Sequence, residues 1–164
     1  MTKDEILTLF DYTYWANHRL LEVVKTLSSE ELNRVLLPGS NCIYDILVHS
    51  LGAEIMWWTR LARGTTLPAI PDRSHYASLE DVISRWETQE NEMRSLLSSL
   101  SEADLAASFR YTNTRGNEYS TPRWQVLLQL VNHETQHRAE AAMLSTALGK
   151  SPGDLDFILY LRQR

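Results

Sequence analysis

A chain of 164 residues with 43% hydrophobic and 23% charged residues has the composition of an ordinary globular protein, long enough to bury one core without staples. Its net charge of −5 and lack of a basic cluster argue against a nucleic-acid binder, because phosphate contacts need concentrated Lys and Arg. The single Cys42 excludes an internal disulfide, Asp4 and Glu5 interrupt the only leader-like apolar stretch, and no run of about 18 apolar residues offers a membrane span; the expected location is the cytoplasm.

A first helix is expected over residues 2–27, where Ile6, Phe10, Ala16, Leu20, Val24 and Leu27 recur at helical spacing. Its apolar content exceeds one stripe, since Leu7, Tyr14, Trp15, Leu21 and Val23 fall elsewhere, so this helix is central or also meets a second subunit. Pro38 and Gly39 break the pattern, Ser40 or Asn41 can cap a second helix, and Gly64 ends it after Arg63. Pro68 and Pro71 hold an extended loop. Ser78 caps a third helix that follows Leu79, Val82, Trp86, Met93 and Leu100.

Residues 108–121 lack a helical period. There Phe109, Tyr111 and Tyr119 flank the turn Thr114-Arg115-Gly116-Asn117, which reads as a short β-ribbon. The fourth helix starts near Thr121 with Pro122 in its first turn and ends at Leu148, with Gly149 as a left-handed cap. A short terminal helix is expected over residues 154–161. Four long helices with mostly short connections predict a single all-α domain over residues 1–164, a four-helix bundle.

The fourth helix carries His133 and His137 on adjacent turns within the stripe Val126, Leu130, Ala141, Leu144 and Leu148. Residues at i and i+4 share one side of a helix, so both imidazoles can meet the same small object, most simply a metal ion. A divalent ion needs at least three protein ligands, so a third should come from another helix. His49 lies on the second helix in line with Cys42, Ile46, Ala53 and Met56, repeating the pattern of a histidine centred on an apolar face. His18 is a weaker competitor, and His75 sits in the polar, proline-rich loop. A lone histidine on an apolar face is ordinarily a core residue bonded to a carbonyl. Three mid-helix histidines in one bundle shift the balance toward metal, and a three-histidine set leaves coordination positions open as a catalytic site does.

Residues 133–137 read His-Glu-Thr-Gln-His, which matches the zinc-protease pattern with Glu134 as general base. The extension fails: position 140 is Glu140 rather than glycine, no histidine follows His137, and Glu140 is the last glutamate in the chain. Glu134 and Glu90 are the nearest candidates for a base, each read first as a helix-surface or structurally paired carboxylate. Cys42, seven residues before His49, reads as a small buried thiol before it reads as a soft ligand.

Several segments together resemble the DinB-like family of metal-binding four-helix bundles. They are Tyr14-Trp15-Ala16-Asn17 with Arg19-Leu20-Leu21, Ile46-Leu47-Val48-His49 with Glu54 and Trp57, Thr121-Pro122-Arg123-Trp124, Val131-Asn132-His133 with His137-Arg138, and the tail Ser151-Pro152-Gly153-Asp154-Leu155-Asp156-Phe157. The resemblance implies a divalent-metal site of His49, His133 and His137 completed by water, zinc or nickel being expected first and iron or manganese next. It also implies a homodimer. Some relatives are thiol transferases or isomerases using bacillithiol or mycothiol, and others are described as hydrolases. The expected function is therefore a metal-dependent thiol S-transferase acting on a small electrophile, with no nucleic-acid or membrane partner. The alternatives are a metal-dependent hydrolase and a non-catalytic metal-binding bundle that serves as sensor, store or interaction module. Gln136, Ala139 and Glu140 depart from the histidine, glycine and glutamine that family members often carry there.

Overall fold

A computed structural model describes residues 1–163 of the chain. Its four long helices are α1 (Lys3–Val24), α3 (Ile43–Arg63), α4 (Leu79–Ser99) and α6 (Arg123–Ala147). Between and after them lie α2 (Ser29–Asn33), α5 (Glu102–Ala106), a hairpin of β1 (Ser108–Thr112) and β2 (Glu118–Pro122), and α7 (Phe157–Arg162). The fold is the expected four-helix bundle, and the ribbon before the last long helix is a two-stranded antiparallel sheet with Phe109 opposite Thr121 and Tyr111 opposite Tyr119. No helix among the described residues is long and apolar enough to cross a membrane.

Local chemistry explains most boundaries. Thr2 and Ser28 form capping boxes with Glu5 and Glu31, Ser78 caps α4 through the Asp81 amide, and Gly64 ends α3 in the left-handed region at φ 67°. Four expectations shift. The first helix stops at Val24 and a separate turn of helix, α2, follows its own Ser28 cap. Cys42, rather than Ser40 or Asn41, occupies the N-cap of α3 without a side-chain bond to the helix. Pro122 ends β2 and precedes α6 instead of lying in its first turn, because its extended backbone (ψ 136°) completes the ladder with Ser108. The terminal helix begins at Phe157, not at residue 154.

The second apolar face of α1 is covered by the chain itself. Tyr12 and Trp15 pack with Leu155 and Tyr160 of the C-terminal segment, and the Tyr12 hydroxyl donates to the Leu155 carbonyl at 2.9 Å. Inside the bundle the core divides in two. One apolar cluster joins Leu20, Leu47, Leu51, Val82, Trp86 and Leu144; the other joins Ile6, Phe10, Met93, Leu105, Leu127 and Leu130. Between these clusters along the helices runs a buried polar belt of Asn17, Ser50, Glu54, Gln89, Glu134 and Arg138. Helix α6 packs against both α1 and α3, while α1 and α4 part enough to leave a cavity of about 340 Å³ lined by Tyr14, Asn17, His18, Trp86 and Glu90.

Candidate metal centre

The antiparallel seam of α3 and α6 brings His49, His133 and His137 together. One ring nitrogen from each lies within 4.8 Å of the others, and the Nε2 atoms of His133 and His137 face each other at 3.2 Å. Two nitrogens at about 2.0–2.1 Å from a tetrahedral ion stand roughly 3.3 Å apart, so the α6 pair already has that spacing and the widest separation closes with a shift of about 1.5 Å. No other group of three His, Cys, Asp or Glu side chains suits an ion among the described residues.

The imidazoles sit at the solvent boundary of the seam rather than deep in the apolar stripe, with His133 and His137 half-buried. That position leaves the cluster within reach of solvent. Burial and the neighbouring His137 and His49 rings push His133 down to about 4, and burial followed by the His137 charge lowers His49 as well. Both are therefore neutral at pH 7, the form that ligates a metal. His133 Nδ1 is buried without a partner, while His137 Nδ1 lies 2.9 Å from a Glu140 carboxylate oxygen. A carboxylate on Nδ1 holds the proton there and leaves Nε2 as the lone-pair donor. The donor set, its spacing and its neutral state all fit a divalent ion.

The other expected residues lie elsewhere. His18 pairs with Glu90 at 2.8 Å across the α1–α4 seam, and Glu90 also accepts from Arg94. His75 is exposed in the loop beside Asp72. The Cys42 thiol is buried, donates to Asp45 at 3.1 Å and is pushed up by burial. Glu134, although adjacent to His133, turns about 100° around the helix and into the belt. It is 1% exposed and accepts from Asn17 Nδ2 at 3.3 Å, while its Oε1 is buried without a partner; Arg138 in turn donates to Asn17 Oδ1 at 3.0 Å. Glu134 lies in the belt with no hydrogen bond to any of the three imidazoles, so the zinc-protease pattern does not by itself make it a general base here.

Glu54, also 1% exposed, accepts from the Tyr14 hydroxyl at 2.7 Å. Burial and the Glu134 charge raise Glu54 to about 8, and burial raises Glu134. Sequence reading missed both this belt and the Glu140 contact. The signal for Glu140 was present, since residues 137 and 140 are i and i+3 on one helix.

A family model described as the DinB family matches residues 1–164. Protein DinB of Bacillus subtilis (strain 168) is 26% identical over 172 residues, covering 96% of this chain and 94% of that protein. Among solved structures, YfiT from Bacillus subtilis is described as a probable metal-dependent hydrolase with an unusual four-helix bundle topology. It superposes with a TM-score of 0.73 at 13% identity, covering 92% of this chain and 91% of YfiT. A DinB-like protein from Bacillus cereus gives a TM-score of 0.66 at 17% identity, with 89% and 94% coverage. At such identities these structural likenesses speak to the fold alone.

Proposed function

The chain belongs to the DinB family, and from that premise we propose that it is a divalent-metal-dependent enzyme whose ion is held by His49, His133 and His137. The leading reaction is transfer of a small-molecule thiol to a small electrophile. The observation that carries this reading is the convergence of three imidazole nitrogens within 4.8 Å on two facing helices. A divalent ion bound there supplies a Lewis acid that lowers the pKa of a thiol or water and so provides a nucleophile at neutral pH. The chain's own part is to keep His133 and His49 neutral, to hold the proton of His137 on Nδ1 against Glu140, and to keep the site at a solvent boundary where small reactants enter.

The surrounding carboxylates favour thiol transfer over hydrolysis. Attack by water gains from a general base, yet Glu134 is buried away from the site and Glu140 is engaged by His137. A thiol, with an ordinary pKa of about 8.5, gives up its proton to solvent far more readily than water at about 15.7, so thiol transfer depends less on a protein base. Hydrolysis is the second reading, favoured by the description of YfiT. Turnover of a generic electrophile by zinc- or nickel-loaded protein, with and without low-molecular-weight thiols, separates the two. Thiol-dependent, metal-dependent consumption supports transfer; metal-dependent ester or amide cleavage without thiol supports hydrolysis; no metal-dependent rate in either assay defeats both. We also propose a homodimer, supported by exposed Met1, Phe157, Ile158 and Leu161 and tested by sedimentation.

A further inference from the structure

We propose that Arg60 is an anion receptor: its guanidinium, walled by Trp57 and Tyr111 where α3 meets the β-hairpin, binds a small oxyanion through its terminal nitrogens. The carboxylate or phosphate of a small molecule has the required chemistry. Arg60 is 7% exposed, the most buried cation after Arg138 among the described residues. Its guanidinium carbon lies 4.5 Å from the Trp57 ring and 5.6 Å from the Tyr111 ring. Its Nε donates to Thr66 Oγ1 at 3.4 Å, and that hydroxyl donates to the Thr112 carbonyl at 2.7 Å while accepting from Thr112 Oγ1 at 3.3 Å. The fork is thus fixed by α3, the following loop and β1 together.

What is missing is a counter-charge. Arg73, Arg85 and Arg94 each face a carboxylate, Asp45, Glu92 and Asp11 respectively. No carboxylate pairs with Arg60 among the described residues, and its two terminal nitrogens have no protein acceptor there yet are not sealed from solvent. A cation taken out of water needs compensation. The aromatic faces and the C-terminal carbonyls of α3 supply part of it, but neither puts acceptors in the plane of the fork. An oxyanion bound by both terminal nitrogens would, and a guanidinium already immobilised loses little freedom on binding it. Arg60 is eleven residues beyond His49, roughly 16 Å along α3, so this site is independent of the imidazole cluster.

The test is a titration of the full chain with sodium phosphate and, separately, sodium acetate against sodium chloride at constant ionic strength. The readout is the indole Nε1–Hε1 resonance of Trp57, whose ring lies 4.5 Å from the guanidinium carbon and which every variant retains. A saturable shift is expected, weakened at least about tenfold by Arg60→Lys, which keeps the charge and loses the fork, and unchanged by Arg115→Lys at the hairpin tip. Saturation by phosphate alone or by acetate alone identifies the preferred oxyanion. A shift that never saturates with either salt overturns the proposal, and so does saturation that Arg60→Lys leaves intact. Should Arg60→Lys not fold, the wild-type titration still decides between saturation and its absence.

Discussion

His133 and Glu134 are consecutive residues on α6, and they belong to opposite worlds. His133 joins two other imidazoles at the solvent edge of the α3–α6 seam, whereas Glu134 points into a belt of buried polar side chains at 1% exposure. Desolvation acts on both, with contrary chemical results: it keeps the imidazole neutral and fit to donate a lone pair, and it favours the protonated form of the buried carboxyls. A turn of about 100° around the helix axis thus separates a candidate ligand from a structural acid. The literal protease motif misleads because a five-letter pattern does not say which way its middle residue faces.

The largest effect expected from this contrast is on metal content. Alanine at His49, His133 or His137 should abolish stoichiometric zinc or nickel, measured by mass spectrometry of the reconstituted protein, while His18→Ala and His75→Ala should bind as the wild type does. Full metal in His49→Ala would move the site elsewhere. Next comes the belt. Glu134→Ala should lower stability by about 1–3 kcal/mol, the scale of leaving the buried Asn17 Nδ2 without its acceptor, and still bind one metal ion. Chemical denaturation and metal analysis on the same sample check both halves. If Glu134→Gln keeps its stability and metal but loses turnover, Glu134 is catalytic and the two neighbours share one role.

The two regions should also respond to pH with opposite signs in the metal-free protein. Glu54 is raised to about 8, so the folded chain holds a proton that the unfolded chain has already released. Its contribution to stability is complete below the unfolded value near 4.5 and is lost as pH rises toward 8. His133 is depressed to about 4, so the unfolded chain takes up its proton first. That contribution is complete above pH 6.5 and is lost as pH falls toward 4. Each limb is limited to about 1.4 kcal/mol per pH unit, one proton's worth. Glu54→Gln should flatten the alkaline limb and His133→Gln should ease the acid one. An unchanged slope between about pH 5 and 8 in Glu54→Gln would show that Glu54 does not hold the proton.

Much of the fold is legible in the sequence, for a physical reason. Helix ends written in local chemistry, such as Ser78 before Leu79 and Gly64 after Arg63, depend on few neighbours, and α4 and α3 begin or end there. Residues four apart on one helix share a face wherever the helix goes, which is why their spacing alone pairs His133 with His137. The turn of helix α2 is hidden by an apolar pattern that continues to Leu27, which masks the Ser28–Glu31 capping box that starts it. The belt is illegible for a different reason. Tyr14, Asn17, Glu54 and Glu134 come from three helices, and their contact depends on rotations about each axis that one sequence does not state.

The smallest effect concerns the one carboxylate that touches the imidazole cluster. Glu140 lies a turn beyond His137 with an oxygen 2.9 Å from Nδ1, and His137 Nε2 in turn faces His133 Nε2 at 3.2 Å. If Glu140 fixes the proton on Nδ1, it pre-orients the ring and makes Nε2 a better donor, an influence worth roughly ten- to hundredfold in metal affinity at comparable sites. Glu140→Gln can keep a hydrogen bond but not the charge, so affinity should fall about tenfold, and Glu140→Ala should fall further. Competition with a chromophoric chelator measures both, and the visible spectrum of the cobalt-loaded protein should change in position while stoichiometry stays at one. Equal affinity in wild type and Glu140→Ala would mean the carboxylate merely rests against the ring. The effect is small because it acts through His137 on the ion, whereas loss of an imidazole removes a bond to it.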